Sequence, residues 1–222
     1  PAAERTAAPE APLVVIAEEQ TAGRGRRGEA WRSAPGSGIW MSLLLPSGPL
    51  DPGLPLVVGA AAAAGIEAVA GDRPPVCVKW PNDLLVDGRK VGAVLCAGAA
   101  GRVVTGLGLD VTADSVRGEP SLDGIATALE VVYRKTLSRL DLADSVVRGI
   151  LASVAEPEPL ASVHDALLRR DALRGRPVVS ETHGAGVGAG LAHDGALLIE
   201  RGGERVRVVS GSVRLAPDSG PA

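Results

Sequence analysis

The stretch Lys79-Trp80-Pro81-Asn82-Asp83-Leu84-Leu85-Val86-Asp87-Gly88-Arg89-Lys90 carries both a fold signal and a chemical one. Pro81-Asn82-Asp83 is a turn signal: proline presets φ, and Asn and Asp side chains bond their own backbone. Asp87-Gly88 suits a two-residue hairpin, in which both central residues take positive φ. Leu84–Val86 and Lys90–Cys96 are therefore expected to pair antiparallel, beside a strand Val76–Trp80 that stops at Pro81. The hairpin brings Lys90 back towards Asp83. An ammonium beside a carboxylate at a sheet turn can hold a substrate anion. The same pattern also describes a surface hairpin with an exposed ion pair, which contributes little.

Working outward, Leu13–Ala17, Ile39–Leu45 and Arg102–Val111 read as further strands, and Leu56–Ala70 as an Ala-rich helix ended by Gly71-Asp72. A mostly antiparallel sheet with a helix packed on it is an α+β arrangement. A helical zone follows, from Ala126 to Arg170. Asp141 is expected to cap a helix with Leu142, Val146, Val147, Ile150, Leu151 and Val154 on one face, and Glu156-Pro157-Glu158-Pro159 breaks it. Beyond Asp171 come five short β runs: Pro177–Ser180, Val187–Leu191, Ala196–Ile199, Val206–Val209 and Val213–Leu215. Turns at His193-Asp194-Gly195 and Gly202-Gly203 separate some of them, which predicts a small barrel. The expected organisation is a disordered Pro/Ala tail over 1–12, one domain over 13–171 and a smaller one over 172–217.

The 222 residues are long enough to bury a core, and with 2% aromatics that core must be built from Val, Leu, Ile and Ala. A net charge of −3 argues against a bulk electrostatic grip on nucleic acid. Two cysteines make no disulfide framework, and no Cys/His cluster has zinc spacing. The chain shows no signal-peptide pattern and no membrane span, so a cytoplasmic location is expected. His164, His183 and His193 are scattered and read as surface residues. Of 23 basic residues only three are lysine, at 79, 90 and 135, and two of these fall in the opening stretch.

Two other segments stand out. Gly23-Arg24-Gly25-Arg26-Arg27-Gly28 follows Gln20 and precedes Trp31. Glycines expose backbone N–H groups, and arginine forks suit phosphate or carboxylate, which together mark a local anion site. It is not a P-loop, since no Gly-Lys-Ser/Thr closes it. A flexible Arg-Gly loop or an RNA contact fits the same composition. Gly106-Leu107-Gly108-Leu109-Asp110 is a strand whose two glycines signal close approach by something packed on it.

Taken together and in order, AEEQTAGRGRRGEAW (Ala17–Trp31), KWPNDLLVDGRKVGAVL (Lys79–Leu95) and GLGLDV (Gly106–Val111) resemble the biotin–protein ligase family, in its monofunctional type without a DNA-binding domain. The resemblance runs over about residues 13–217. It implies a catalytic domain related to class II aminoacyl-tRNA synthetases and lipoate–protein ligases, followed by an SH3-like barrel. The implied reaction activates biotin with ATP as biotinyl-5′-AMP and transfers it to a lysine of a biotin carboxyl carrier protein. By the same match, Lys90, Arg26 and Asp83 are the catalytic residues. Biotin and the adenylate would be held by Gln20, Gly23, Arg24, Gly25, Arg26, Trp31, Lys79, Asn82, Lys90 and Asp110. Mg²⁺ is implied with ATP, with no dedicated ligand set. Neither DNA nor membrane is an implied partner.

The sequence also departs from the family pattern. No Ser-Thr-Asn segment precedes the glycine–arginine loop, which predicts an incomplete N-terminal part of the catalytic domain. Glu29 stands where Arg is frequent, Ala93 where Gly is expected, and Cys96-Ala97 where a Glu is missing. Asp110 replaces an Asn, and Ser212–Pro217 lacks a terminal Arg. These departures favour, as the alternative, a degenerate or truncated protein that holds biotin or its adenylate with little turnover. A lipoate–protein ligase of the same fold is the remaining option.

Overall fold

The computed structural model describes residues 12–45, 51–99 and 102–216. The N-terminal tail apart from Pro12, the strand stop at Pro46 and the end of the last strand at Pro217 lie outside the described residues. Six strands form one sheet: β1 (Leu13–Ala17), β2 (Gly38–Leu45), β3 (Cys77–Lys79), β4 (Asp83–Val86), β5 (Arg89–Ala99) and β6 (Arg102–Asp110). Their order is β1-β2-β6-β5-β4-β3, with every pair antiparallel. The β4–β5 turn is the expected one. Asp87 and Gly88 both take positive φ, 49° and 73°, the twist a two-residue hairpin needs.

The two faces of the sheet divide by alternation. Ile39, Met41, Leu43 and Leu45 of β2 join the main core, whereas Leu44 packs with Val104, Leu13 and Val15 on the opposite face. The core face is covered by α1 (Leu54–Ala70), whose Ala-rich sequence is buried nearly all round. Small residues let its neighbours approach. A Cβ added at Gly65 would lie 2.8 Å from the Cα of Val146 in α3 (Arg139–Val154). Between α1 and α3 in the chain comes the short α2 (Leu129–Tyr133), and α4 (Pro159–Arg170) follows α3. At the end of α4, Arg170 donates to both carboxylate oxygens of Glu67 in α1, each at 2.5 Å, and to the Val76 carbonyl at 2.9 Å. That fork ties α1, α4 and the entry to β3 together.

Two expectations need correction. The cap of α3 is Ser138, whose hydroxyl accepts from the Asp141 N–H at 3.2 Å. Asp141 sits in the first turn, three residues after the cap, where its charge complements the helix dipole. Nor is His164 a surface residue. It is 8% exposed, its Nε2 lies 3.3 Å from the Leu191 carbonyl, and its ring stacks on His193 at 4.5 Å. Leu160, His164 and Leu167 share one face of α4, and that face is packed.

The C-terminal residues form a second antiparallel sheet: β7 (Pro177–Ser180), β8 (Gly184–Leu191), β9 (Leu197–Arg201), β10 (Glu204–Val208) and β11 (Val213–Leu215), in the order β10-β9-β8-β7-β11. Its buried residues Val178, Leu191, Leu197, Ile199, Val208 and Val213 belong to the same apolar core as the first sheet. The join is therefore packed. Among the described residues, no helix is long and apolar enough to cross a membrane.

Candidate active site

The face of the six-stranded sheet away from α1 is the floor of a cavity of about 930 Å³. Ser42, Ala93, Leu95, Ala97, Val104 and Gly106 line it, small or apolar side chains that alternate along β2, β5 and β6. Its walls come from the glycine–arginine loop, from Lys79–Asp83 with Lys90, and from Ser212 and Val213 of the second sheet. A second cavity of about 1060 Å³ adjoins it and shares Arg26, Trp80, Pro81, Asn82, Val94 and Leu95 with it.

The hairpin delivers the charge. Asp83 Oδ2 lies 2.9 Å from Lys79 Nζ, and Asp83 Oδ1 lies 2.7 Å from Lys90 Nζ. One carboxylate thus holds two ammonium groups at the cavity wall. Burial pushes the Asp83 carboxyl up, but the charges and hydrogen bonds of Lys79 and Lys90 together outweigh it and hold it below the ordinary Asp value. A β-bulge between Leu84 and Leu85 shapes the strand. Lys90 and Ala93 are three residues apart and would face opposite ways on a regular strand. The bulge lets both line the cavity while Val91 enters the core. Gly92 is required there, since a Cβ would lie 2.6 Å from the Gly108 carbonyl oxygen.

Lys90 is also fixed through its backbone. Its N–H donates to the Ile125 carbonyl at 2.8 Å, and its carbonyl accepts from the Thr127 N–H at 2.8 Å. Sequence reasoning missed this role for Ile125–Thr127, because a bridge between an isolated loop and a strand leaves no periodic signature. Above the ammonium, the Trp31 ring centroid is 5.2 Å from Nζ, within cation–π range. Trp31 lies against Gly108, where a Cβ would come within 3.0 Å of its ring, which explains one of the two strand glycines. Trp31 meets Trp40 edge to face at 6.5 Å, and neither buried indole N–H has a partner among the described residues.

The remaining expected residues divide. Asn82 is buried and supports the hairpin, its amide donating to the Val94 carbonyl at 2.8 Å. Gln20 lines the cavity, and its Oε1 accepts from Ser33 Oγ at 2.8 Å. Arg24, Gly25 and Arg26 line it too, while Gly23 accepts the Trp31 N–H at 3.0 Å and closes the loop. Gly23 has no room for a side chain, because a Cβ would collide with the Trp31 carbonyl oxygen. Arg26 Nη2 donates at 3.2 Å to the carbonyl of Gly211, in the connection between β10 and β11. Glu29 lines the cavity beside the arginines.

Asp110 ends β6, is 6% exposed and does not line the cavity. Burial pushes its carboxyl up to about 7, although a hydrogen bond from Ser115 and the charge of Lys90 pull the other way. The folded value lies above the unfolded one of ~3.9, so the folded state loses stability as pH rises from ~4 to ~7 and carries the full cost above that. Asp110→Asn removes the titration. The variant should therefore gain stability relative to the parent between pH 5 and pH 8, by on the order of 3 kcal/mol. Urea unfolding at the two pH values measures it, and parallel curves would refute the assignment.

Comparisons with known proteins show the family. The family model described as the biotin/lipoate A/B protein ligase family matches residues 3–110. The chain is 39% identical over 148 residues to the bifunctional ligase/repressor BirA of Bacillus spizizenii, covering 63% of this chain and 45% of that protein, so it spans under half of that relative's length. It is 30% identical to the biotin–[acetyl-CoA-carboxylase] ligase of Mycobacterium tuberculosis over 90% of this chain and 78% of that one. The structure superposes on the biotin protein ligase from Aquifex aeolicus in complex with biotin and ATP with a TM-score of 0.84 at 26% identity, covering 96% of this chain and 93% of that one.

Proposed function

The chain belongs to the biotin–protein ligase family, and from that premise we propose that it joins biotin to a lysine of a biotin carboxyl carrier protein at the expense of ATP. The observation that supports this reading is the Lys79–Asp83–Lys90 cluster on the wall of a cavity that the glycine–arginine loop also lines. In the first step the biotin carboxylate attacks the α-phosphorus of ATP. The α–β bridging bond breaks, and pyrophosphate leaves with its electron pair. Two anions must meet there, and a compact ammonium between them offsets their repulsion and the charge that develops. Lys90 fills that role, with Asp83 fixing its position and Trp31 beside it. In the second step the amine of the carrier lysine attacks the acyl carbon of biotinyl-5′-AMP, loses a proton and expels AMP. No enzyme nucleophile is required.

The apolar floor around Leu95 and Val104 suits the carbon skeleton of biotin, and the loop arginines suit the adenylate. Mg²⁺ would arrive with ATP. Among the described residues there is no group of three His, Cys, Asp or Glu that could hold an ion. We read the second sheet as the SH3-like barrel of the family, the part before it as a class II synthetase-like domain, and the location as cytoplasmic. Incubation with biotin, ATP, Mg²⁺ and a carrier domain, followed by a streptavidin blot, should reveal biotinylated carrier. Glu29 on the cavity wall is the observation that favours a binder with little turnover. Calorimetric biotin binding without product would identify that case.

A further inference from the structure

We propose that Glu181, in the turn between β7 and β8, is a positioning residue that holds the glycine–arginine loop over the cavity from the second sheet. The loop is gripped at two neighbouring points. Arg27 Nη1 lies 3.0 Å from Glu181 Oε1 and 2.8 Å from Oε2. Arg26 Nη2 donates to the Gly211 carbonyl, one residue before Ser212. The two receptors are themselves joined, because the Glu181 N–H donates to the Ser212 carbonyl at 3.0 Å. Ser212 and Val213 then continue onto the cavity wall.

The loop needs such a hold. Arg27 has φ 58°, a left-handed conformation uncommon for a long side chain, and Gly28 follows at φ 81°. Inside the loop, Gly25 N–H donates to the Glu29 carbonyl at 2.7 Å and Glu29 N–H to Arg26 at 3.1 Å, bonds that shape it without fixing it to anything else. Elsewhere the second sheet is anchored to the wall of the site. Trp80 Nε1 donates to the Gly195 carbonyl at 3.0 Å, one residue before the turn that carries Asn82 and Asp83. The sheet therefore spans from the segment that sets Lys90 to the loop that covers it, and Glu181 sets the distance between them. The Arg27–Glu181 pair is about half exposed, at 53% and 48%. A pair of that kind is weak and salt-sensitive, as befits a contact that opens for substrate and product.

The kinetic consequence rests on the ligase reading, but the loop's protection does not, and the test separates them. Arg24, Arg26 and Arg27 are trypsin sites. In the intact protein without ligand, Glu181→Gln should raise the rate of cleavage within the loop by about 3- to 5-fold at low salt, and about 1 M salt should erase the difference. In biotin-dependent pyrophosphate exchange, Glu181→Gln and Arg27→Glu should each raise KM for ATP and biotin by about the same factor with kcat little changed. The double charge swap Arg27→Glu/Glu181→Arg should restore KM. Equal loop cleavage in parent and Glu181→Gln overturns the proposal, as does a swap no better than its single variants. Faster cleavage in a protein without exchange activity would uphold the clasp and remove the ligase reading.

Discussion

Lys90→Arg should slow biotinyl-adenylate formation by about two to three orders of magnitude, the usual loss of one preorganised charge donor, and leave the unfolding transition in place. The position cannot adapt. The backbone on both sides of Lys90 is bonded to Ile125 and Thr127, its ammonium is 2.7 Å from Asp83, and the Trp31 ring lies 5.2 Å above it. A guanidinium is planar, longer and prefers to engage a carboxylate with two parallel N–H groups. It would take Asp83 as a fork and turn its charge away from where carboxylate and phosphate meet. The side chain is partly exposed, so the larger head group finds room at the cavity edge and the fold survives. Pyrophosphate exchange together with thermal unfolding measures both halves. Near-normal exchange would refute the argument from charge placement.

Asp83→Asn should damage both stability and activity. Asp83 alone lies between Lys79 and Lys90, and its side chain is 16% exposed. The amide leaves two ammonium groups facing each other without the anion that separates them. Breaking a fully buried pair costs ~3–5 kcal/mol. Partial exposure of both lysines, at 21% and 28%, reduces the expected loss to about 2 kcal/mol at pH 7. The sign with pH follows from the depressed carboxyl. Its stabilisation is fully present above the unfolded Asp value and is lost as pH falls through the lower folded one. The gap between parent and variant should thus be widest near neutrality and shrink in acid. Exchange activity should fall as well, since Lys90 loses the group that fixes it. Equal stability of the two proteins at pH 7 would refute this account of the cluster.

Local chemistry explains what was legible in the chain. Asp87-Gly88 announces its own hairpin, which brings Lys90 back to Asp83, and the Pro81-Asn82 turn brings Lys79 there from β3, so the cluster lies within a span of local turns. Leu13–Ala17 and Val213–Leu215 are strands with the expected bounds, each a short apolar or branched run that begins just after a turn former, Pro12 in one case and Gly211-Ser212 in the other. What was not legible depends on packing between distant segments. The register shift at Leu84/Leu85 and the close approach of the Gly108 backbone to Gly92 are properties of the paired strands and not of either strand's pattern. The grip of Ile125–Thr127 on Lys90, and that of Gly211 and Glu181 on the loop arginines, join segments with no shared periodicity. Arg26 was recognisable as an anion ligand by type, and in this structure it also donates to the Gly211 carbonyl between β10 and β11. His164 shows the opposite error: its spacing from Leu160 and Leu167 already signalled a packed face, which its scatter from the other two histidines does not contradict.

Formation of biotinyl-5′-AMP in this cavity is the step on which the proposed function stands or falls. The most direct test is exchange of labelled pyrophosphate into ATP, with and without biotin, on the chain as it stands. The account predicts exchange that requires biotin, ignores lipoate and disappears in Lys90→Arg. Exchange that is absent, indifferent to biotin or driven by lipoate instead would contradict it.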